Sequence, residues 1–181
     1  MEESIRNTRL FSGKIIDVEK HDVRLTDGTH STREVVRHAG AAGVIPLDGK
    51  NVVLVKQYRF PIGEYLLEIP AGRLDPGEDP ADCARRELLE ETGYSIKEHK
   101  LMTLLYSSPG FTDERIYLYY AVVEKVAEPT PDTGEFLETV IVPLDEALEM
   151  VRSQRICDAK TISALLFYET LIRRRKSNDQ S

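Results

Sequence analysis

Apolar and polar residues alternate over 14–25 and lead to Thr26-Asp27-Gly28-Thr29, beyond which 31–38 reads as a return strand. The Asp-Gly pair is a strong hairpin signal, so the pattern predicts two antiparallel strands. Ile15, Ile16, Val18, Val23, Leu25, Val35 and Val36 are their apolar content, too little for an independent domain. The hairpin must lean on its own body or on a second subunit. From Ala41 the pattern changes to short apolar runs that predict strands over 43–47, 51–58 and 65–69, punctuated by Asp48-Gly49 and Pro61-Ile62-Gly63. Val52 to Val55 is continuously apolar, as in a strand covered on both faces.

Between Asp79 and Gly93 the period becomes helical. Asp79 suits the N-cap, Pro80 the first helical position and Gly93 a left-handed stop, so a helix is expected over 80–92. Ala81, Ala84 and Leu88 form its apolar stripe. Glu87, Glu90 and Glu91 gather on adjacent turns of another side, where like charges repel. This is either a solvated face laced by Arg85 and Arg86, or a solvent-facing carboxylate cluster suited to a hard divalent ion. Further strands are expected over 99–106, 116–123 and 138–142, with loops over 107–114 and 125–135. A helix over 146–153 capped by Asp145 follows, and then a last helix over 158–176. Strands, helix, strands and helices in this order predict an α/β protein of the α+β kind, with helices on the faces of a mixed sheet.

The 181 residues fit one domain, and 41% hydrophobic with 30% charged content is ordinary for a globular chain. A net charge of −7 argues against nucleic acid as a partner. The first residues lack the apolar core of a signal peptide and no run approaches a membrane span, so no membrane partner and a cytoplasmic location are expected. Cys83 and Cys157 make neither a disulfide framework nor a zinc spacing.

Gly72, five residues, Glu78, seven residues, then Arg86-Glu87-Leu88-Leu89-Glu90-Glu91-Thr92-Gly93 resembles the box of the Nudix hydrolases. One departure is mild: Tyr94 stands where an aliphatic residue is usual. The resemblance implies the Nudix fold, an α/β/α sandwich with a mixed β-sheet, preceded here by an N-terminal antiparallel β-hairpin region. It divides the chain into a dimer-forming region 1–40, a hydrolase domain 41–176 and a flexible tail 177–181. It also implies Mg²⁺, with Mn²⁺ or another divalent ion as substitutes, and in-line attack of a metal-activated water on a diphosphate. Glu87 and Glu91 would be metal ligands, Glu90 a ligand or a close supporter of one, and the Ala71 carbonyl a further ligand. Arg86 would orient these carboxylates, and Glu78 would brace the loop.

Within the family, Pro109 lies about fifteen positions after the box and is followed by Gly110-Phe111, which resembles the ADP-ribose pyrophosphatase branch. That resemblance implies substrate contacts from Pro109, Gly110 and Glu114, from Arg59 to the diphosphate, and from Arg33 and Glu34 to the adenine side. It places the general base at Glu135, with Glu138 as rival, on a loop before the last strand. The implied reaction converts ADP-ribose to AMP and ribose 5-phosphate in a homodimer. Alternatives are another substrate, such as GDP-mannose, NADH or a diadenosine polyphosphate, and a non-hydrolytic ADP-ribose sensor.

Overall fold

A computed structural model describes residues 1–173. It divides into two compact units, one of residues 1–40 with 106–115 and one of 41–105 with 116 onward. The first unit is an antiparallel sheet in the order β1 (Glu3–Ser12), β2 (Ile16–Arg24), β3 (His30–His38). The β2–β3 hairpin turns where Asp27-Gly28 predicts, with Leu25 N–H bonded to the Thr29 carbonyl at 2.8 Å. β1, absent from the expectation, adds a third strand. Its residues are exposed throughout, with little apolar periodicity to announce them.

Val23 is the buried apolar residue of this unit, beside a buried acid, Glu19. Glu19 accepts from His21 Nε2 at 3.0 Å and Arg37 Nε at 2.9 Å, and Arg37 Nη1 reaches Asp113 at 3.1 Å. Hydrogen bonds from His21 and Arg37 hold the Glu19 carboxyl down to about 2 from its ordinary 4.5. A depressed carboxyl pKa stabilises the fold above the unfolded value and loses that contribution as pH falls toward 2. Glu19→Gln should therefore flatten the fall of the unfolding midpoint between pH 4.5 and 2, read by thermal melts against wild type. An unchanged slope would contradict this role.

The second unit is built on a mixed seven-stranded sheet. Its main path runs β10 (Leu137–Pro143), β5 (Asn51–Arg59), β4 (Ala41–Asp48), β9 (Arg115–Lys125), β8 (Tyr94–Tyr106). β6 (Glu64–Glu68) pairs with β5 and the short β7 (Ala71–Arg73) with β4. β4 lies parallel to β9 and antiparallel to β5, and β5 antiparallel to β10. Strand alternation splits the core into two layers. Ala42, Val44, Val53, Tyr119 and Ala121 pack with Cys83, Ala84 and Leu88 of α1 (Pro80–Thr92). Ile45, Leu54 and Leu118 pack with Ala147 and Leu148 of α2 (Leu144–Arg152) and with Ala164 and Leu165 of α3 (Ala159–Phe167). Each fully buried leucine contributes about 1.5–3 kcal/mol. The result is the expected α/β/α sandwich.

Three expectations need correction. Asp145 does not cap α2: the helix starts at Leu144 after Pro143, without a side-chain cap, and Asp145 sits in its first turn bonded to Arg173. β8 begins at Tyr94, directly after α1, rather than near residue 99. The last helix is α3 continued by a π-helical turn, Tyr168–Arg173. The expected extension to 176 and the tail 177–181 lie outside the described residues. Among the described residues no helix is long and apolar enough to cross a membrane.

Candidate active site

Local chemistry fixes α1 where the acids need it. Asp79 Oδ1 accepts from the Ala81 N–H at 2.8 Å, and Gly93, at φ +69°, turns back to donate to the Leu89 carbonyl at 2.8 Å. β7 brings Gly72 beneath the helix, opposite Ala42. A Cβ on Gly72 would fall inside the Glu87 carboxylate, so only glycine leaves that acid its place.

The carboxylates differ sharply in environment. Glu91 is 5% exposed, and its Oε2 accepts from the Ala71 N–H at 3.2 Å. The expectation of a solvent-facing cluster is therefore wrong for Glu91, because the helix turns it inward onto β7. Burial, then the negative charges of Glu87 and Glu135, push its carboxyl up to about 8, although the Ala71 N–H opposes them. Burial likewise raises Glu87, against the pull of Arg86. Glu90 is more open.

Arg86 braces the cluster from one side. Its guanidinium donates to Glu87 Oε1 at 2.7 Å and Glu90 Oε2 at 3.3 Å, and grips Glu78 through Nε at 2.9 Å and Nη2 at 3.0 Å. Glu78 also accepts from the Asp75 N–H at 3.0 Å, so one arginine joins the loop to the helix. The Arg86 hydrogen bonds, helped by the Asp75 N–H, hold the Glu78 carboxyl down to about 2. Arg85 turns away, to Asp82 at 2.7 Å. Burial, with Glu78 and Glu87 nearby, pushes the Cys83 thiol up to about 12, so it is an inert packing residue, while Cys157 is exposed.

Two crowded carboxylates with raised pKa values, Glu91 buried and Glu87 half-buried, are short of positive charge, and their oxygen donors suit a hard divalent cation. Glu87, Glu91 and the Ala71 backbone thus fit such an ion in chemistry. Among the described residues no three His, Cys, Asp or Glu side chains form a ready cage. Glu135, after Gly134, acts electrostatically on both Glu87 and Glu91. Glu138 instead pairs with Lys56 at 3.6 Å on the surface. Arg59, at the end of β5, is clamped through Nε and Nη2, both at 2.7 Å, to Glu68.

The remaining predicted residues belong to the first unit. Arg33 and Glu34 lie on β3, with Arg33 Nε bonded to Glu2 at 3.0 Å. Pro109, Gly110 and Glu114 lie on a loop pinned to β3, where the Val36 N–H meets the Phe111 carbonyl at 2.8 Å and Asp113 accepts from the His38 N–H at 3.0 Å. Sequence reasoning missed Glu68, whose signal was a lone acid in the apolar run Tyr65-Leu66-Leu67-Glu68-Ile69. It also missed Lys160 as a partner of that acid.

The NUDIX domain model matches residues 37–165, which contain all of this α1 geometry. The chain belongs to the Nudix family. An ADP-ribose pyrophosphatase of Bacillus subtilis is 42% identical over 171 residues, covering 93% of this chain and 92% of that protein. A methanol dehydrogenase activator of Bacillus methanolicus is 41% identical over 171 residues, with the same coverage of 93% and 92%. Among solved structures, an ADP compounds hydrolase superposes with a TM-score of 0.84 at 20% identity, covering 96% of this chain and 95% of that one, a likeness of fold. The Nudix box thus sits on a Nudix sandwich along nearly the whole chain.

Proposed function

We propose that this Nudix protein is a divalent-metal-dependent hydrolase of ADP-ribose that releases AMP and ribose 5-phosphate. The observation that carries the chemistry is the pair of box-helix carboxylates with raised pKa values, Glu91 buried and Glu87 half-buried against Arg86. Likeness to an ADP-ribose pyrophosphatase over almost the full length supports the substrate. A bound Mg²⁺ or Mn²⁺ would neutralise diphosphate charge and make a water more acidic.

The chain's own groups do the rest. Glu87, Glu91 and the Ala71 carbonyl would hold the ion, with Glu90 supporting them. Arg86 fixes the carboxylates, and Arg59 presents its planar fork to the diphosphate, where two parallel N–H bonds suit paired oxygens. Glu135 takes the proton from the attacking water; its charge is felt at both Glu87 and Glu91, whereas Glu138 is paired with Lys56. Pro109, Gly110 and Glu114 shape the substrate loop, and Arg33 and Glu34 address the adenine side. Residues 41–176 form the catalytic domain.

Residues 1–40 build a homodimer in this reading. Ile5, Leu10, Phe11 and Ile15 are exposed apolar residues in the first unit, and a second copy would cover them. Sedimentation should give two chains per particle; a monomer would remove this part. Two unpaired cysteines suit a reducing cytoplasm.

The function is tested by kcat/KM over ADP-ribose, GDP-mannose, NADH and diadenosine polyphosphate, with and without chelator. ADP-ribose should lead, and chelator should stop turnover. Preference for another member would replace the substrate, and binding of ADP-ribose without turnover would favour a sensor. The B. methanolicus relative supports a second reading, stimulation of a dehydrogenase, which addition of the pure protein to a methanol dehydrogenase assay would reveal.

A further inference from the structure

The end of β5, the end of β6 and the start of α3 converge on a single buried acid. Glu68 is 1% exposed and carries three ion-paired bonds, two from Arg59 and one from Lys160 Nζ. Lys160 also pairs with Asp158 at 3.1 Å, and Asp158 caps α3 by accepting from the Thr161 N–H at 2.9 Å. Thr161 Oγ1 closes the circuit by accepting from the Ile69 N–H at 2.9 Å. Burial of such a carboxylate costs several kcal/mol unless it is paired, and a hydrophobic side chain could fill the same strand position at lower cost. An ion pair maintained here calls for a task beyond packing.

The geometry of Arg59 supplies one. Its bonds to Glu68 use Nε and Nη2, one edge of the guanidinium, and leave Nη1 on the other edge. The side chain is 39% exposed, so the fork is held from behind and open in front. We propose that Glu68, locked in turn by Lys160 and Asp158, is a positioning residue that pre-orients the Arg59 guanidinium for the substrate diphosphate. This rests on the reading of Arg59 as the diphosphate contact. Burial pushes the Glu68 carboxyl up, but the Arg59 hydrogen bonds and the Lys160 charge outweigh it and hold it below the ordinary carboxylate range, so the clamp stays ionised at neutral pH. An arginine that loses the clamp gains free charge yet loses orientation. Orientation governs the outcome, because a fork already aimed loses little rotamer freedom when the diphosphate arrives.

Equilibrium binding of ADP-ribose in EDTA and steady-state kinetics in Mg²⁺ are measured for wild type, Glu68→Gln, Arg59→Lys and the double variant. The Gln amide keeps one acceptor but turns an N–H toward a guanidinium N–H. The Lys variant keeps charge but cannot make two parallel bonds. Each single variant should weaken binding and raise KM about tenfold, with kcat changed less than about threefold. The double variant should be no worse than Arg59→Lys alone, since both remove one interaction. Glu68→Asp, with charge retained, should recover part of the loss and serves if Glu68→Gln fails to fold. A loss confined to thermal stability, or additive losses in the double variant, would overturn the clamp. Weak binding in Arg59→Lys beside wild-type binding in Glu68→Gln would overturn the clamp and leave the Arg59 reading standing. Unchanged binding in every variant would overturn both. Because binding is read in EDTA, an absence of hydrolysis in wild type would count against the proposed reaction while the clamp is still tested.

Discussion

Glu91→Gln should abolish turnover, lowering kcat/KM for ADP-ribose by about 10³-fold or more, since several kcal/mol of charge stabilisation is removed and each 1.36 kcal/mol is tenfold. The fold should survive. Glu91 is buried at 5% exposure beside Glu87, and its charge is a burden there, as its rise to about 8 records. A neutral amide of the same shape can still accept from the Ala71 N–H through its oxygen. The unfolding midpoint in EDTA at pH 8 or above should therefore match or exceed that of wild type. Near-normal turnover would remove Glu91 from the metal site, and a collapsed melt would mean the residue is structural.

Glu135→Gln should cost about 10²–10⁴-fold in kcat, the usual worth of a general base, with KM within a few fold. Its negative charge adds to the upward shift of both Glu87 and Glu91, so the loop before β10 brings it within electrostatic range of the box acids. Glu138→Gln should leave both constants near wild type, because Glu138 engages Lys56 in an exposed pair of little energetic weight. Reversed results for the two variants would transfer the base to Glu138. Equal and small effects would take proton removal off this loop.

The box helix was legible to the residue because its signals are local. An Asp cap, a proline at the first position and a glycine stop set Pro80–Thr92 without help from the rest of the chain. The sandwich was legible from the period of the strands. β1 was not, since a strand with no buried face has no alternation to read. Asp145 misled because a good capping residue is only a candidate, and Pro143 had already set the start of α2. The burial of Glu91 was hidden for a tertiary reason: β7 lies under that side of the helix, and three acids gathered on adjacent turns look like a wet face. The Glu68 clamp joins residues 92 positions apart, Glu68 and Lys160, a separation at which local pattern is silent.

Hydrolysis of ADP-ribose in ¹⁸O-labelled water with Mg²⁺, read by mass spectrometry of the products, decides whether water cleaves the diphosphate in a metal-dependent reaction. AMP and ribose 5-phosphate in equal amounts, with one label placed on one of the two phosphates and no product in EDTA, is the predicted result. Intact ADP-ribose, products that do not arise from cleavage of the diphosphate, or turnover indifferent to EDTA would contradict it.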